Sequence, residues 1–154
     1  MARAYSDAMG LAAGLRASVR VAVSEADTAI QAGSGDVPVL ATPRLLALAE
    51  AACVAAVEPH LGPGMTSVGT AVSLEHRRAS PVGAEITVDA ELTEVDGRRL
   101  VFSFIVRQSP PGPGDPGAGD AEEDLVVGAG TVERVVVDRE KFLARAQTPV
   151  VDRG

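Results

Sequence analysis

An α+β fold, with one antiparallel sheet curled round one long buried helix, is what this 154-residue sequence predicts. Three observations carry that prediction. From Leu45 to Val57 every residue is apolar except Glu50, and the run is framed by Thr42-Pro43 before it and Pro59 after it. Downstream, stretches of strand-like sequence succeed one another with turn signals between most of them and no second long helix, the order expected of a meander rather than of alternating βα units. Apolar residues make up 46% of the chain but aromatics only 3%. The core is therefore built from Ala, Val and Leu, whose small side chains let a helix lie close to a sheet.

The first element is preceded by residues 1–16, which read as a flexible arm; Ala17-Ser18-Val19-Arg20-Val21-Ala22-Val23 then alternates as a first strand. Between Ser24 and Leu40 the composition turns to Asp, Gly, Ser and Gln, with Gly33-Ser34-Gly35-Asp36 as a loop signal, so this segment is a candidate lid. Thr42 is placed to cap a helix and Pro43 to open it, because proline surrenders a donor that is orphaned in the first turn anyway. The helix is expected over 43–58, ended by Pro59 and Gly62-Pro63-Gly64. With apolar residues on all sides it is expected to be wrapped by protein nearly all round.

Strands then come at Ser67 to Leu74, Ala84 to Val95, Arg99 to Gln108 and Leu125 to Asp138. The second of these alternates Ile86, Val88, Ala90 and Leu92 against Glu85, Thr87, Asp89 and Glu91, a half-exposed antiparallel strand. Asp96-Gly97 turns it back on itself. Gly128 and Gly130 in the last strand signal a bulge or a close backbone approach. Residues 109–124, rich in Pro, Gly and acidic side chains, are read as a mobile hairpin tip without chemistry. A short helix is expected over 139–146, and 148–154 is a tail, leaving 17–147 as a single folded domain.

Composition narrows the function. A formal charge of -7 argues against a general binder of nucleic acid or of anionic membranes. The lone Cys53 excludes an intrachain disulfide and a thiol-based structural zinc site, and the setting is read as cytoplasmic; separately, no metal or other cofactor is expected. The Met1 to Leu15 stretch is broken by Asp7, Gly10 and Gly14, and no apolar run reaches the length of a membrane span.

Glu50 is the most informative residue, because a carboxylate among twelve apolar helical positions costs about several kcal/mol to keep charged without compensation. It is either half of a buried ion pair, or a protonated acid bonded to a carbonyl, or a catalytic carboxylate with a raised pKa acting as base or nucleophile. The third reading is preferred. His76, past the end of its strand, is the one candidate proton carrier that titrates near neutrality, although a lone histidine is more often structural. Thr42 has an equally good reading as a helix cap, which is compatible with holding an oxyanion or a thioester carbonyl in the positive potential of a helix start. Cys53, one turn from Glu50, is read as inert core, and His60 as structural. Arg77, Arg78 and Arg44 are usually just solvated charges, yet in an acidic chain they are the candidates for phosphate contacts.

The strand, long helix and four strands match the hot-dog architecture. The stretches Leu40-Ala41-Thr42, Leu48 to Cys53, Pro59 to Gly64, Val68-Gly69-Thr70-Ala71 and His76 resemble the fluoroacetyl-CoA thioesterases and their relatives. The similarity continues through Asp96 to Leu100, Gly128 to Arg134 and Glu140-Lys141-Phe142, about two thirds of the chain. The resemblance implies hydrolysis of an acyl-CoA or carrier-bound acyl thioester, a catalytic set of Thr42, Glu50 and His76, and Gly69 beside the acyl group. It also implies a homodimer whose two sheets join side by side with the sites near the interface. One feature departs from the family's fluoroacetyl specialist, whose acyl pocket is closed by a phenylalanine-bearing lid. This chain has no aromatic residue between Tyr5 and Phe102, and Gly33 to Pro38 stands in the lid's place. That argues against fluoroacetyl selectivity.

The expected mechanism has Thr42 and a backbone N–H holding the carbonyl while Glu50 attacks it or activates water, with His76 assisting proton transfer. Two rivals use the same fold: a dehydratase or hydratase, and a non-catalytic protein that binds acyl thioesters or another small ligand.

Overall fold

The computed structural model describes residues 10–110 and 124–149. In chain order these form β1 (Arg16–Ala22), a 3-10 turn (Glu25–Asp27), a one-turn α1 (Ala29–Ala32), the long α2 (Thr42–Val57) and a 3-10 turn (Glu58–His60). Then come β2 (Met65–His76), β3 (Glu85–Asp96), β4 (Arg99–Gln108), β5 (Leu125–Asp138) and α3 (Arg139–Gln147). The five strands make one sheet in the order β1-β3-β4-β5-β2, every neighbouring pair antiparallel.

Alternation decides which side chains face the helix. Ile86, Val88, Ala90 and Leu92 of β3 are buried, as are Leu100, Phe102, Phe104 and Val106 of β4 and Val132 and Val136 of β5. Against them α2 sets Leu45, Leu48, Ala49, Ala52, Cys53, Ala56 and Val57, a stripe with the i, i+3, i+4 spacing of one helix face. The expectation of a helix covered all round is corrected here: Ala47, Ala51 and Ala55 on the far face are exposed. Alanine counts as apolar wherever it stands, so it hides the helix's two-sidedness.

Element boundaries differ from the expected ones by a few residues, with one useful consequence. β2 runs two residues further at each end than expected, so His76 lies within the strand, paired with Gly128. Of the expected arm, residues 10–16 are held: Leu11 is buried, Gly14 donates to the Leu92 carbonyl at 2.8 Å, and the Leu92 N–H returns a bond to the Leu15 carbonyl at 2.8 Å. Most of the expected hairpin tip at 109–124 and of the tail at 148–154 lies outside the described residues. Gly97, with φ +60°, supplies the left-handed residue of the β3–β4 turn.

Two features of the sheet shape the region around β2. α2 lies mainly over β1 and β3, so the edge strand β2 is poorly covered and Gly69 to Ser73 are exposed. The register of β2 against β5 also shifts between Gly69 and Ala71, a bulge that inserts Thr70. Further along, β2 passes so close to β5 that a Cβ on Gly130 would strike the Ser73 carbonyl and stand 2.8 Å from the Phe104 ring. Gly130→Ala is therefore expected to cost about 1–3 kcal/mol of stability in urea unfolding, the usual range for overpacking; an unchanged midpoint would show that the strands can part without loss.

Candidate active site

The start of α2 carries the first cluster. Ala41 is the residue before the helix and makes no side-chain cap bond, so Thr42 is already helical. The expected capping role of Thr42 is thus corrected. Its hydroxyl is instead hydrogen-bonded to His76, with Oγ1 and Nδ1 2.8 Å apart. Elements far apart in sequence meet here because α2 starts beside the end of β2. The unpaired amides and positive dipole end of a 16-residue helix lie at the same place.

Burial holds the His76 imidazole below its ordinary pKa, partly offset by the nearby Arg78 backbone, whose carbonyl favours the protonated ring. Its Nε2 is buried and has no hydrogen-bond partner among the described residues. A cleft of about 330 Å³ opens beside the pair. One wall is the segment Ser34 to Val37 with Val39, and the other is Thr42, His76, Arg77 and Arg78. The candidate lid therefore borders the expected chemistry. It is tied down at its roots, where Ala29 N–H donates to the Val39 carbonyl at 2.8 Å and Ala41 N–H to the Asp27 carbonyl at 2.9 Å.

Glu50 belongs to a second cluster. Eight residues along α2 from Thr42, it is displaced by about 12 Å along the helix axis. Its side chain is 33% exposed, and its Oε2 accepts a 2.7 Å hydrogen bond from Arg134 Nη1. Arg134 is the buried partner, at 7% exposure. Its Nε donates to Ser67 Oγ at 2.9 Å and its Nη2 to the Ser67 carbonyl at 2.8 Å. Gly69 lies opposite Arg134 in the β2–β5 ladder, and a Cβ there would stand 2.6 Å from Glu50 Oε2. Of the three readings offered by the sequence, the ion pair is present, as a half-open pair resting on a glycine rather than a fully buried one.

Of the sequence-derived candidates, the structure joins Thr42 with His76, sets Arg77 and Arg78 at their cleft, and joins Glu50 with Gly69. Within one chain it does not merge the two groups. Arg134 and Ser67 are the residues that sequence reasoning missed. Arg134 shares strand parity with buried Val132 and Val136, so an inward-facing arginine in need of a carboxylate is readable from alternation alone. Two of the phosphate candidates are paired already, Arg44 to Asp27 at 2.8 Å and Arg77 to Glu75 at 2.7 Å. Cys53 is buried in the core, which pushes its thiol up to about 12 and leaves it inert, as expected. No group of three metal-ligating side chains occurs among the described residues, and no helix there is long and apolar enough to cross a membrane.

A long helix seated in an antiparallel sheet is the hot-dog architecture, and comparison with known proteins places the chain among its thioesterases. The family model of fluoroacetyl-CoA-specific thioesterases matches residues 23–111, and the chain belongs to that family. The fluoroacetyl-CoA thioesterase of Streptantibioticus cattleyicolor is 41% identical over 113 residues, 72% of this chain and 71% of the relative. A solved structure of a fluoroacetyl-CoA thioesterase aligns at TM-score 0.74 and 34% identity, covering 91% of this chain and 99% of that one. A hot-dog-like protein from Thermanaerovibrio acidaminovorans aligns at TM-score 0.76 over 97% of this chain and 98% of its own, and at 21% identity it shares the fold. The protein is an acyl-CoA thioester hydrolase.

The His76 environment makes a direct prediction. Because desolvation disfavours the imidazolium, the ring is expected to titrate below about 6.5, the ordinary imidazole value. The associated stability is complete above that pH and lost as pH falls through the folded-state value. An NMR titration of His76 giving a midpoint above 6.5 would mean that an unseen negative charge outweighs burial.

Proposed function

We propose that the chain hydrolyses acyl-CoA thioesters through Thr42, Glu50 and His76, with the two clusters brought together across a homodimer. The observation that carries the proposal is the 2.8 Å Thr42–His76 hydrogen bond at the mouth of a cleft beside a helix N-terminus. A thioester carbonyl placed there meets a hydroxyl, free amides and a positive dipole end, the donors that stabilise a developing oxyanion. Glu50 then attacks the carbonyl carbon, expelling CoA thiolate and leaving an anhydride that water opens to free acid and carboxylate, or it takes a proton from a water that attacks the carbon and expels the thiolate; in either route a proton from that water reaches the thiolate by way of His76.

The dimer is supported by the edge strand. Among the described residues β2 presents an unpaired edge of 12 residues, longer than edges left open in soluble proteins usually are. Two-fold pairing of β2 with its copy around Val72 sets the Gly69 half of one protomer beside the His76 half of the other. Glu50 of one copy thereby approaches Thr42 and His76 of the next, which closes the gap of about 12 Å left within one chain. Arg78, at the same cleft and outside the ion pairs of the described residues, is the proposed contact for CoA phosphates.

A second reading of the same site has a specific observation in its favour. The direct Thr42–His76 bond is the arrangement of an activated nucleophile, with the neutral imidazole taking the hydroxyl proton as Oγ1 attacks. Variants separate the two. Glu50→Gln keeps the side-chain volume and an acceptor for Arg134, and is expected to lower turnover at least about 100-fold in a dimer that still folds, with a lowered melting temperature because buried Arg134 loses its charge partner. His76→Ala is expected to slow turnover also, and Thr42→Ser to be milder than Thr42→Ala. Near-normal thiol release by a folded Glu50→Gln dimer would leave the hydroxyl–imidazole pair as the catalytic unit. Hydration of an enoyl-CoA without thiol release, or tight acyl-CoA binding with no turnover, would instead favour the dehydratase or the binding-protein reading.

The lid segment bears on selectivity. Its cleft wall is Ser34, Gly35, Asp36 and Val37, with no aromatic ring to exclude water or to grip a small acyl group. Discriminating one fluorine from hydrogen needs a shaped, dry pocket. Fluoroacetyl-CoA is therefore expected to be hydrolysed within about tenfold of acetyl-CoA in kcat/KM, the scale of one small contact. A preference of several orders of magnitude would overturn this.

A further inference from the structure

The geometry points to a trough between α2 and β2, walled by Val54, Leu61 and Met65, as the subsite for an unbranched apolar acyl chain of about six to eight carbons. The inference rests on the reading of Glu50 as the carboxylate that meets the thioester carbonyl, and it names the substrate class of that site. α2 and β2 run in opposite directions: Thr42 is bonded to His76 at one end, and further along Glu50 faces Gly69. Past that point the helix presents Val54 and then Glu58, each four residues on and so on the same side as Glu50. The strand answers with its alternate positions, Ser67 and Met65. Together with Leu61 and Arg139 these residues line a cavity of about 210 Å³. It exists because α2 lies mainly over β1 and β3, which leaves the inner face of β2 standing away from the helix.

The two cavities that flank the proposed chemistry differ in character, and the difference decides which end of the substrate each takes. The cleft beside Thr42 and His76 carries Ser34, Asp36, Arg77 and Arg78, side chains suited to the amides and phosphates of CoA. The trough offers hydrocarbon and a thioether instead. Leu61 and Met65 are half-buried and packed against the core cluster, so this wall has a fixed backing, while the unbranched Met65 side chain can adjust to its occupant. Pockets for apolar ligands are built in this way, from apolar walls with a few polar groups at the ends. The far end is marked by Glu58 and Arg139, and a hydrocarbon chain gains nothing by running on against charges. Length is therefore bounded. At about 30 Å³ for each methylene-sized group, the cavity takes about seven of them.

The test is thiol release by the full-length protein from acetyl-, hexanoyl- and palmitoyl-CoA. Each methylene buried in the trough is worth about fourfold, so hexanoyl-CoA is expected to exceed acetyl-CoA in kcat/KM by at least about tenfold. Palmitoyl-CoA, too long for the cavity, is expected to fall at least about tenfold below hexanoyl-CoA. Val54→Phe fills the trough one turn beyond Glu50. It is expected to lower kcat/KM for hexanoyl-CoA at least about tenfold and for acetyl-CoA less than about threefold. Met65→Trp, which fills it from the strand side, is expected to give the same selective loss and carries the test if Val54→Phe does not fold. The hexanoyl thioester of N-acetylcysteamine, which lacks the nucleotide and its phosphates, is expected to show that loss too. An equal loss on acetyl- and hexanoyl-CoA would overturn the inference, by showing that the trough holds the arm of CoA. Wild-type rates that do not rise from acetyl- to hexanoyl-CoA would overturn it as well, and with Glu50→Gln still impaired either result leaves the Glu50 reading intact. Full activity of Glu50→Gln would remove that reading and this inference with it.

Discussion

The seat of α2 on the sheet is the constraint from which the other features descend. Only small residues on its inner face, Ala49, Ala52, Cys53 and Ala56 between Leu45, Leu48 and Val57, let the helix backbone come close to the strands. Close packing fixes where each end of the helix falls. The first turn arrives beside the end of β2, which is why a hydroxyl at position 42 meets an imidazole at position 76 without help from intervening sequence. The same placement over β1 and β3 leaves β2 and the neighbouring part of β5 less covered. It is in that less covered margin that the Glu50 carboxylate stays one third open beside the buried Arg134 guanidinium.

The fold is legible in the sequence because its signals are physically independent of one another. Proline and glycine bound the helix, alternation marks β3, and Asp96-Gly97 marks the hairpin; each rests on local chemistry that tertiary packing has no reason to override. The core side of α2 is not legible, since alanine reports nothing about which way it faces. Thr42 illustrates a different limit. A threonine before Pro43 satisfies the pattern for a cap, yet the helix begins one residue earlier and the hydroxyl turns to His76, a choice set by a strand 34 residues away. Arg134 is legible in principle, being an inward position on an alternating strand, but nothing local to β5 says that its partner is a carboxylate in the middle of α2.

Glu50 shows why a buried-looking charge needs its partner before its role can be weighed. Sequence offers an ion pair and a catalytic acid as competing accounts, and the structure makes them compatible. A paired carboxylate that is one third exposed keeps an oxygen available, whereas a fully buried pair would be locked. The compensating charge comes from β5, the residue opposite Gly69, so helix and sheet together specify one carboxylate geometry. Neither element contains enough information to do so alone.

The separation of the two clusters within one chain constrains how such a site can be built. If Glu50 served Thr42 and His76 of the same chain, the helix would have to bend or the carboxylate would have to reach across about 12 Å, and neither is compatible with a straight helix held by core packing on one face and by Arg134 at mid-length. The proposed pairing of the β2 edge removes the conflict by supplying Glu50 from the other copy. It also accounts for the uncharged middle of the edge, where isolated edges often carry a charged or prolyl guard: Gly69, Thr70, Ala71, Val72 and Ser73 have a copy of the same strand as their proposed neighbour. On the proposed dimer, assembly is a condition of chemistry, and the small residues of the edge include Gly69, which leaves room for Glu50.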